Sequence, residues 1–292
     1  MNAVFIVGCG DIGRRVAALC LADGQAVTGL VQSAASAAQL RQAGIMPLQA
    51  DLDDPAALSV VNCAGHEVYY FAAPPAEGET DPRMAHFLAR FAADRLPRRI
   101  VYISTTGVYG DCGGAWITEE QPVNPRTPRG KRRLDAEMAL RAWSVQAGVP
   151  VVILRVPGIY GPGRLPVERI RKGLPVLREE EAPYSNRIHA DDLARVCVAA
   201  MQRGTPGAVY NVADNQPTTM SHYFNRIADT LGLPRPPAVS MSEAREQLTP
   251  AMLSFIEESR RIDNRKMREE LGVELVYPDL ESGLMVLGKL TD

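Results

Sequence analysis

Three glycines near the N-terminus have the spacing of a phosphate cradle. They lie in Val7-Gly8-Cys9-Gly10-Asp11-Ile12-Gly13, a GxGxxG pattern that follows the apolar run Ala3–Val7 and opens the amphipathic stretch Asp11–Ala22. In that context Gly8 permits the tight turn, Gly10 lets the backbone approach a pyrophosphate, and Gly13 lets helix and strand pack closely. The free N–H groups at the helix start, aided by the helix dipole, then attract the phosphates. Gly8, Cys9, Gly10, Asp11, Ile12 and Gly13 are therefore the first candidate ligand site, and a dinucleotide is its expected occupant. The next strand ends at Val31-Gln32-Ser33, where no acid is present to hold an adenosine ribose. Gln32 can hydrogen-bond a plain ribose, whereas Arg14 and Arg15 can support a 2′-phosphate. NADP or NAD is the expected cofactor, with the two arginines favouring NADP.

A second group of residues suits anion chemistry. Arg126, Arg129, Lys131, Arg132 and Arg133 form a basic cluster before a helical pattern over Arg133–Ala147. Arginine offers bidentate contacts to phosphate or carboxylate. A solvated helix start is the alternative, although positive charge in a first turn opposes the helix dipole and so favours an anionic partner. The other reactive residue types read as structural. His189 is expected to hydrogen-bond at the start of a helix, Tyr109 to pack, and Cys9 to serve as a small buried residue, since nothing in its surroundings marks a lowered pKa. Five scattered cysteines without a CxxC pair fit a reducing cytoplasm, and four widely spaced histidines give no metal constellation.

The elements that must position these groups alternate in type. Ala3–Val7, Ala26–Val31, Ile45–Gln49, Val68–Ala72, Ile100–Ser104, Val151–Arg155 and Val209–Val212 read as short buried strands. Helical patterns over Asp11–Ala22, Ala34–Ala43, Asp81–Leu96, Arg133–Ala147 and from Ala190 onward lie between them. Parallel strands need helical crossovers, so the fold class is α/β, a Rossmann-type doubly wound parallel sheet with a smaller C-terminal α/β lobe. Residues 1–165 are expected to form the dinucleotide-binding domain, with 188–213 returning to it. Residues 166–187 and 214–292 are expected to form the substrate lobe. The 292 residues carry 32 Lys plus Arg against 34 Asp plus Glu, a net charge of -2 that argues against a nucleic-acid partner. No run of about 18 apolar residues implies a membrane span. The apolar N-terminal run has no basic leader and reads as a first strand.

Five ordered segments resemble extended short-chain dehydrogenases/reductases of the NAD-dependent epimerase/dehydratase group. Ala50-Asp51-Leu52 is similar to that family's segment after the third strand, where Asp51 would approach adenine. Phe71-Ala72-Ala73-Pro74 resembles the segment lining the cofactor. Ile103-Ser104-Thr105-Thr106-Gly107-Val108-Tyr109-Gly110 resembles the serine-rich fifth strand and VYG turn. Leu154 to Gly163 resembles an LRxxxxYGPG signature containing Pro157, and Asn186 to Ala194 resembles an IHVDDLA segment. The resemblance implies that Gln32, Asp51, Ala72, Ala73, Pro74, Ser104 and Pro157 join the glycine turn at the cofactor.

The catalytic pattern of that family departs here. Its members carry YxxxK about eight residues before a glutamate; counting back from Glu137 puts Arg129 and Arg133 at those two positions, and no tyrosine in the chain has lysine four residues later. Arginine does not readily serve as a base, so Thr105 is left to orient substrate, Arg129 or Arg133 to stabilise negative charge, and water or the substrate to carry the proton. Sugar-nucleotide enzymes of the group place an arginine where Ser185 stands, and Arg187 is expected to point elsewhere. The chain thus resembles the atypical branch that lacks the YxxxK pair. An oxidoreductase or epimerase acting on a small anionic or sugar-derived substrate is expected; the alternative is a non-catalytic NAD(P)-binding sensor. By analogy with the family, a homodimer would form across the helices of Asp81–Leu96 and Arg133–Ala147.

Overall fold

The computed structural model describes residues 3–92, 95–254 and 256–288. Seven parallel strands form the central sheet: β1 (Ala3–Val7), β2 (Ala26–Val31), β3 (Met46–Gln49), β4 (Glu67–Tyr70), β5 (Arg99–Thr105), β6 (Val151–Val156) and β7 (Val209–Asn211). Their order across the sheet is β7-β6-β5-β4-β1-β2-β3. The direction of winding reverses between β1 and β4, which opens a crevice at their carboxyl ends.

Alternation along each strand sends side chains to two apolar layers. Val4, Ile6, Tyr69, Val101, Ile103 and Leu154 face helices α1 (Asp11–Ala22) and α5 (Ala190–Arg203). Phe5, Val7, Val68, Tyr70, Tyr102 and Ile153 face Met84 and Phe87 of α3 (Pro82–Leu88) and Leu140 of α4 (Pro128–Ala147). Helix α2 (Ala34–Gln42) packs by the outer strands, with Ser33 as its cap. The strands and α1 fall where the apolar periodicity puts them.

Two helices differ from expectation. Helix α3 ends at Leu88, where Phe91 leaves the helical path to pack edge-on to Phe87 at 5.0 Å and against Trp143 at 5.2 Å. Residues 93 and 94 of the expected Asp81–Leu96 helix lie outside the described residues. Helix α4 starts earlier than expected, at Pro128, because the Thr127 hydroxyl accepts from the Gly130 N–H at 3.1 Å and Pro128 occupies the first turn, where no N–H is needed. Arg129 and Arg133 are consequently one turn apart on a single helix.

Beyond the sheet, Tyr160, Ile170, Val176, Tyr223, Phe224, Ile227, Leu280 and Leu284 make a separate small core around helix α6 (Met220–Thr230). Met267, Leu271 and Val273, in a segment grouped above with the lobe, pack instead into the α1/α5 layer of the sheet. A late segment is stapled to an early loop: Arg261–Ile262 pairs in parallel with Trp116–Ile117, and the Ser259 carbonyl accepts from the N–H groups of Cys112 and Gly114 at 3.0 Å. No helix of the described residues is long and apolar enough to cross a membrane.

Candidate active site

The glycine turn sits at the carboxyl end of β1, beside the crevice. Gly8 has φ +77°, and a Cβ there would lie 2.6 Å from the Ala72 backbone, so only glycine fits without strain. Gly10 faces open space, with nothing within 4 Å of where its Cβ would be. Gly13 packs against Ile6 and Cys9, where a Cβ would meet both at 3.2 Å. The N–H groups at the start of α1 thus lie beside open space at Gly10, the kind of backbone cradle that the N-terminus of a helix offers to an anion. Cys9 is buried under the turn, and burial pushes its thiol up to about 12, so it contributes packing and no reactivity.

Adenosine-side candidates come together as well. Gln32 donates to the Asp51 carboxylate at 2.7 Å, and the Gln49 amide donates to the Gln32 carbonyl at 3.1 Å. Arg14 donates to Gln39 of α2 at 3.2 Å, which keeps it on this side of α1. Arg15 does not stay there, contrary to the reading that grouped it with Arg14. It pairs with Asp11 and Asp191, toward the LRxxxxYGPG segment, because it lies on the helix face that packs against α5. Asp11 also binds Arg164 at 2.5 Å. Burial opposes ionisation of Asp11, but these two arginines hold its pKa below the usual carboxylate range.

The segment after β4, Ala72-Ala73-Pro74, is fixed from both sides. Ala72 abuts Gly8, and the Ala73 carbonyl accepts from Arg83 at 2.9 Å, while Arg83 also pairs with Asp53. Pro74 continues this segment as a half-buried residue. Arg133 reaches across the ends of β4 and β5, donating to the Ala72 carbonyl at 3.3 Å, the Ile103 carbonyl at 3.1 Å and the Tyr102 hydroxyl at 3.3 Å. Burial pushes Tyr102 up to about 12, with Arg133 countering.

Beneath these strand ends runs a buried polar network that the sequence did not reveal. Ser104, Glu137 and Arg155 are buried together. The Ser104 hydroxyl donates to Glu137, whose carboxylate also takes two bonds from Arg155 at 3.1 and 2.7 Å. Arg155 lies 4.7 Å from the Tyr109 ring centre, and the Tyr109 hydroxyl donates to Asn211 at 2.8 Å. Ser104 therefore turns inward to brace α4 against the sheet, and Tyr109 is a buried hydrogen-bonding residue. His189 likewise accepts from the Asp191 N–H at 3.2 Å as the cap of α5 and stacks on Tyr277 at 3.9 Å; burial lowers its pKa.

A cavity of about 490 Å³ opens between the sheet and the small lobe. Thr105, Thr106, Gly107 and Pro157 supply its sheet side; Tyr184, Arg187, Tyr223 and Phe224 supply its lobe side. Thr105 caps the turn after β5, accepting from the Gly107 N–H at 3.1 Å. Of the basic cluster, Arg129 alone lines the cavity. Lys131 pairs with Glu79, Arg132 donates to the Gly78 carbonyl and Arg133 goes to the strand ends. Burial lowers the Arg129 pKa, with the charge of Glu258 opposing that shift.

Three further arginines line the cavity: Arg164, Arg187 and Arg260. Arg187 is a correction to the sequence reading, since its strand, Arg187–His189, pairs with Gly158–Tyr160 and thereby turns the guanidinium into the cavity wall. No motif spacing marks Arg164 or Arg260 in advance, because they reach the cavity only through contacts 153 and 150 residues away, with Asp11 and Gly110. Among the described residues, no group of His, Cys, Asp or Glu could hold a metal.

Comparison with known proteins agrees with this geometry. The family model described as NAD dependent epimerase/dehydratase family matches residues 4–213. Protein YeeZ of Escherichia coli K12 is 28% identical over 287 residues, covering 96% of this chain and 97% of its own. A conserved protein of unknown function from Silicibacter pomeroyi superposes with a TM-score of 0.84 at 33% identity, covering both chains fully. The UDP-glucose 4-epimerase of Thermotoga maritima, solved with UDP-glucose, superposes with a TM-score of 0.79 at 19% identity, covering 99% of this chain and 98% of its own, a likeness of fold. The chain belongs to the NAD-dependent epimerase/dehydratase family.

Proposed function

We propose that this protein binds a nicotinamide dinucleotide along the crevice and acts as an oxidoreductase or epimerase on a small anionic or sugar-derived substrate held in the cavity. The observation that carries the reading is that the glycine turn and the arginine-lined cavity lie at the same carboxyl edge of one sheet, joined by Arg133 and by Thr105 at the end of β5. Gly8, Gly10 and the start of α1 would hold the pyrophosphate, and Gln32 with Asp51 the adenosine end. The segment Ala72-Ala73-Pro74 and Pro157 would border the nicotinamide end. NADP is favoured over NAD because Arg14 remains on the adenosine side while no acid ends β2. The dinucleotide supplies hydride acceptance and return when bound.

The residues of the chain divide the remaining work. Thr105 orients a substrate hydroxyl, and Arg129, one turn before Arg133 on α4, stabilises negative charge at the cavity. Neither is a ready base near neutral pH, so proton transfer falls to water or to a substrate group. Calorimetric titration with NAD, NADH, NADP and NADPH tests the reading first. Tight, selective binding of one supports it, and failure of all four removes it. Arg129 at the position of the family's tyrosine favours a second reading, a cytoplasmic redox sensor. Cofactor-dependent capture of a partner without turnover of bound reduced cofactor would establish that reading.

A homodimer is part of the proposal. Helix α4 exposes Met138 at 62% and Val145 at 85%, an apolar strip that a second copy could cover. Sedimentation of the protein and of Met138→Glu should give a dimer and a monomer respectively.

A further inference from the structure

We infer that Arg164 is a phosphate clamp at the junction of crevice and cavity, and that it takes the phosphate of the dinucleotide nearer the nicotinamide. The inference rests on the proposed reading of the crevice as a dinucleotide site and adds one side chain to its backbone cradle.

Arg164 belongs to both compartments. Its Nε–H donates at 2.5 Å to Asp11, the first residue of α1, and the same side chain lines the cavity. Topology puts it across the path of the ligand. The chain leaves the sheet at the end of β6, and Arg164 reaches back to the start of α1 beside β1. Strands β5 and β4 lie between those two. A dinucleotide running from the glycine turn at β1 toward Pro157 after β6 therefore passes this residue.

The guanidinium is anchored but not used up. It carries five N–H donors. Asp11 takes the one on Nε, and among the described residues no acceptor takes the four on the two amino groups. Arg15, which pairs with the same carboxylate, is different: its three nitrogens go to Asp11, to Asp191 and to the Pro162 carbonyl. The loop that carries Arg164 is held in place. Gly161 has φ +131°, and a Cβ there would lie 2.9 Å from the His189 ring. The Arg164 N–H closes a turn on the Gly161 carbonyl at 3.0 Å, and Pro162 is tied to Arg15. A fork fixed in this way loses little freedom when it meets a ligand.

Charge favours the same assignment. Alone, the Asp11 carboxylate at the head of α1 would repel phosphates bound there. Arg15 and Arg164 offset it, and Arg164 has donors left to give two phosphate oxygens a charge-assisted contact.

ADP-ribose, and whichever of NAD and NADP binds more tightly, should be titrated calorimetrically into the wild type, R164Q and R164K. R164Q should weaken both ligands at least tenfold, by a factor that shrinks as salt is raised. R164K, which keeps the charge without the fork, should recover part of the loss. Equal binding by R164Q overturns the clamp and leaves the proposed function standing, whereas a wild type that binds none of these ligands removes both. A loss that salt does not reduce, or that R164K does not relieve, means that Arg164 only holds its loop, and overturns the clamp. Inorganic phosphate titrated into the dinucleotide-saturated proteins checks the other source of such a group: binding that R164Q abolishes would put the guanidinium on a substrate anion and overturn the assignment. Should R164Q not fold, wild-type crystals grown with ADP-ribose decide. A phosphate oxygen within hydrogen-bonding distance of an Arg164 amino group supports the clamp, and its absence there overturns it.

Discussion

The crevice and the cavity share one sheet edge but are built on opposite principles. At the crevice, backbone does the work. Gly8 leans on Ala72, Gly10 stands clear and Gly13 packs on Ile6, all within one βα turn. At the cavity, side-chain charge does the work, with Arg129, Arg164, Arg187 and Arg260 converging from four separate segments on a wall with Glu258 as its one carboxylate among the described residues. A ligand recognised by backbone N–H groups needs only a local turn. One recognised by guanidinium forks needs charges carried in from distant parts of the chain.

The contrast can be broken most severely below both sites. Glu137→Ala leaves Arg155 buried without its partner, and should lower stability by about 3–5 kcal/mol in urea denaturation. Gly8→Ala should cost about as much, since it combines a left-handed φ with a 2.6 Å contact to backbone, and should abolish dinucleotide binding. Gly10→Ala is the informative partner. Its stability should stay within about 1 kcal/mol of wild type while dinucleotide affinity falls at least tenfold, because the added methyl projects into the cleft and not into protein. A Gly10→Ala protein that binds the dinucleotide normally would remove the crevice from the site.

A pH effect sharpens the cavity side. Asp214 follows the last sheet strand and lies behind Arg187, whose carbonyl accepts its N–H at 2.7 Å; burial raises its carboxyl to about 7. An unfolded chain releases that proton near pH 4, so this group reduces stability progressively as pH rises from about 4 to about 7 and by a constant amount above. Asp214→Asn keeps the amide oxygen that accepts from Gln216 and should gain up to about 4 kcal/mol at pH 8, with no gain at pH 3.5. Thermal melts across that range test the sign; a gain confined to acid would reverse it. The smallest expected effect belongs to Arg83→Ala, which loses an exposed pair with Asp53 worth about 1 kcal/mol or less.

The same contrast decides what was legible in the sequence. β1, α1 and β2 carry their periodicity and turn glycines locally, and their bounds read directly. Gln32 is marked by the strand that it follows and Asp51 by the family resemblance of Ala50-Asp51-Leu52; 19 residues apart, they meet. Helix α4 carried its start signal in Thr127-Pro128, but a proline-rich approach masked it. Arg187 was misread because its direction depends on pairing with Gly158–Tyr160, a contact that no spacing encodes. Arg15 was misplaced for a similar reason, since its partner Asp191 lies 176 residues away. Local patterns report backbone; the destinations of long charged side chains are set by tertiary neighbours.

The staple between Ser259–Ile262 and the loop after β5 has a consequence in time. Arg260 reaches the Gly110 carbonyl across 150 residues. At synthesis rates of about 5–20 residues per second, some 8–30 s separate the emergence of those two partners. A nascent chain therefore carries the whole glycine turn well before it can close the cavity. The lobe wall of the cavity, with Tyr223, Phe224, Glu258 and Arg260, must wait for the last third of the chain.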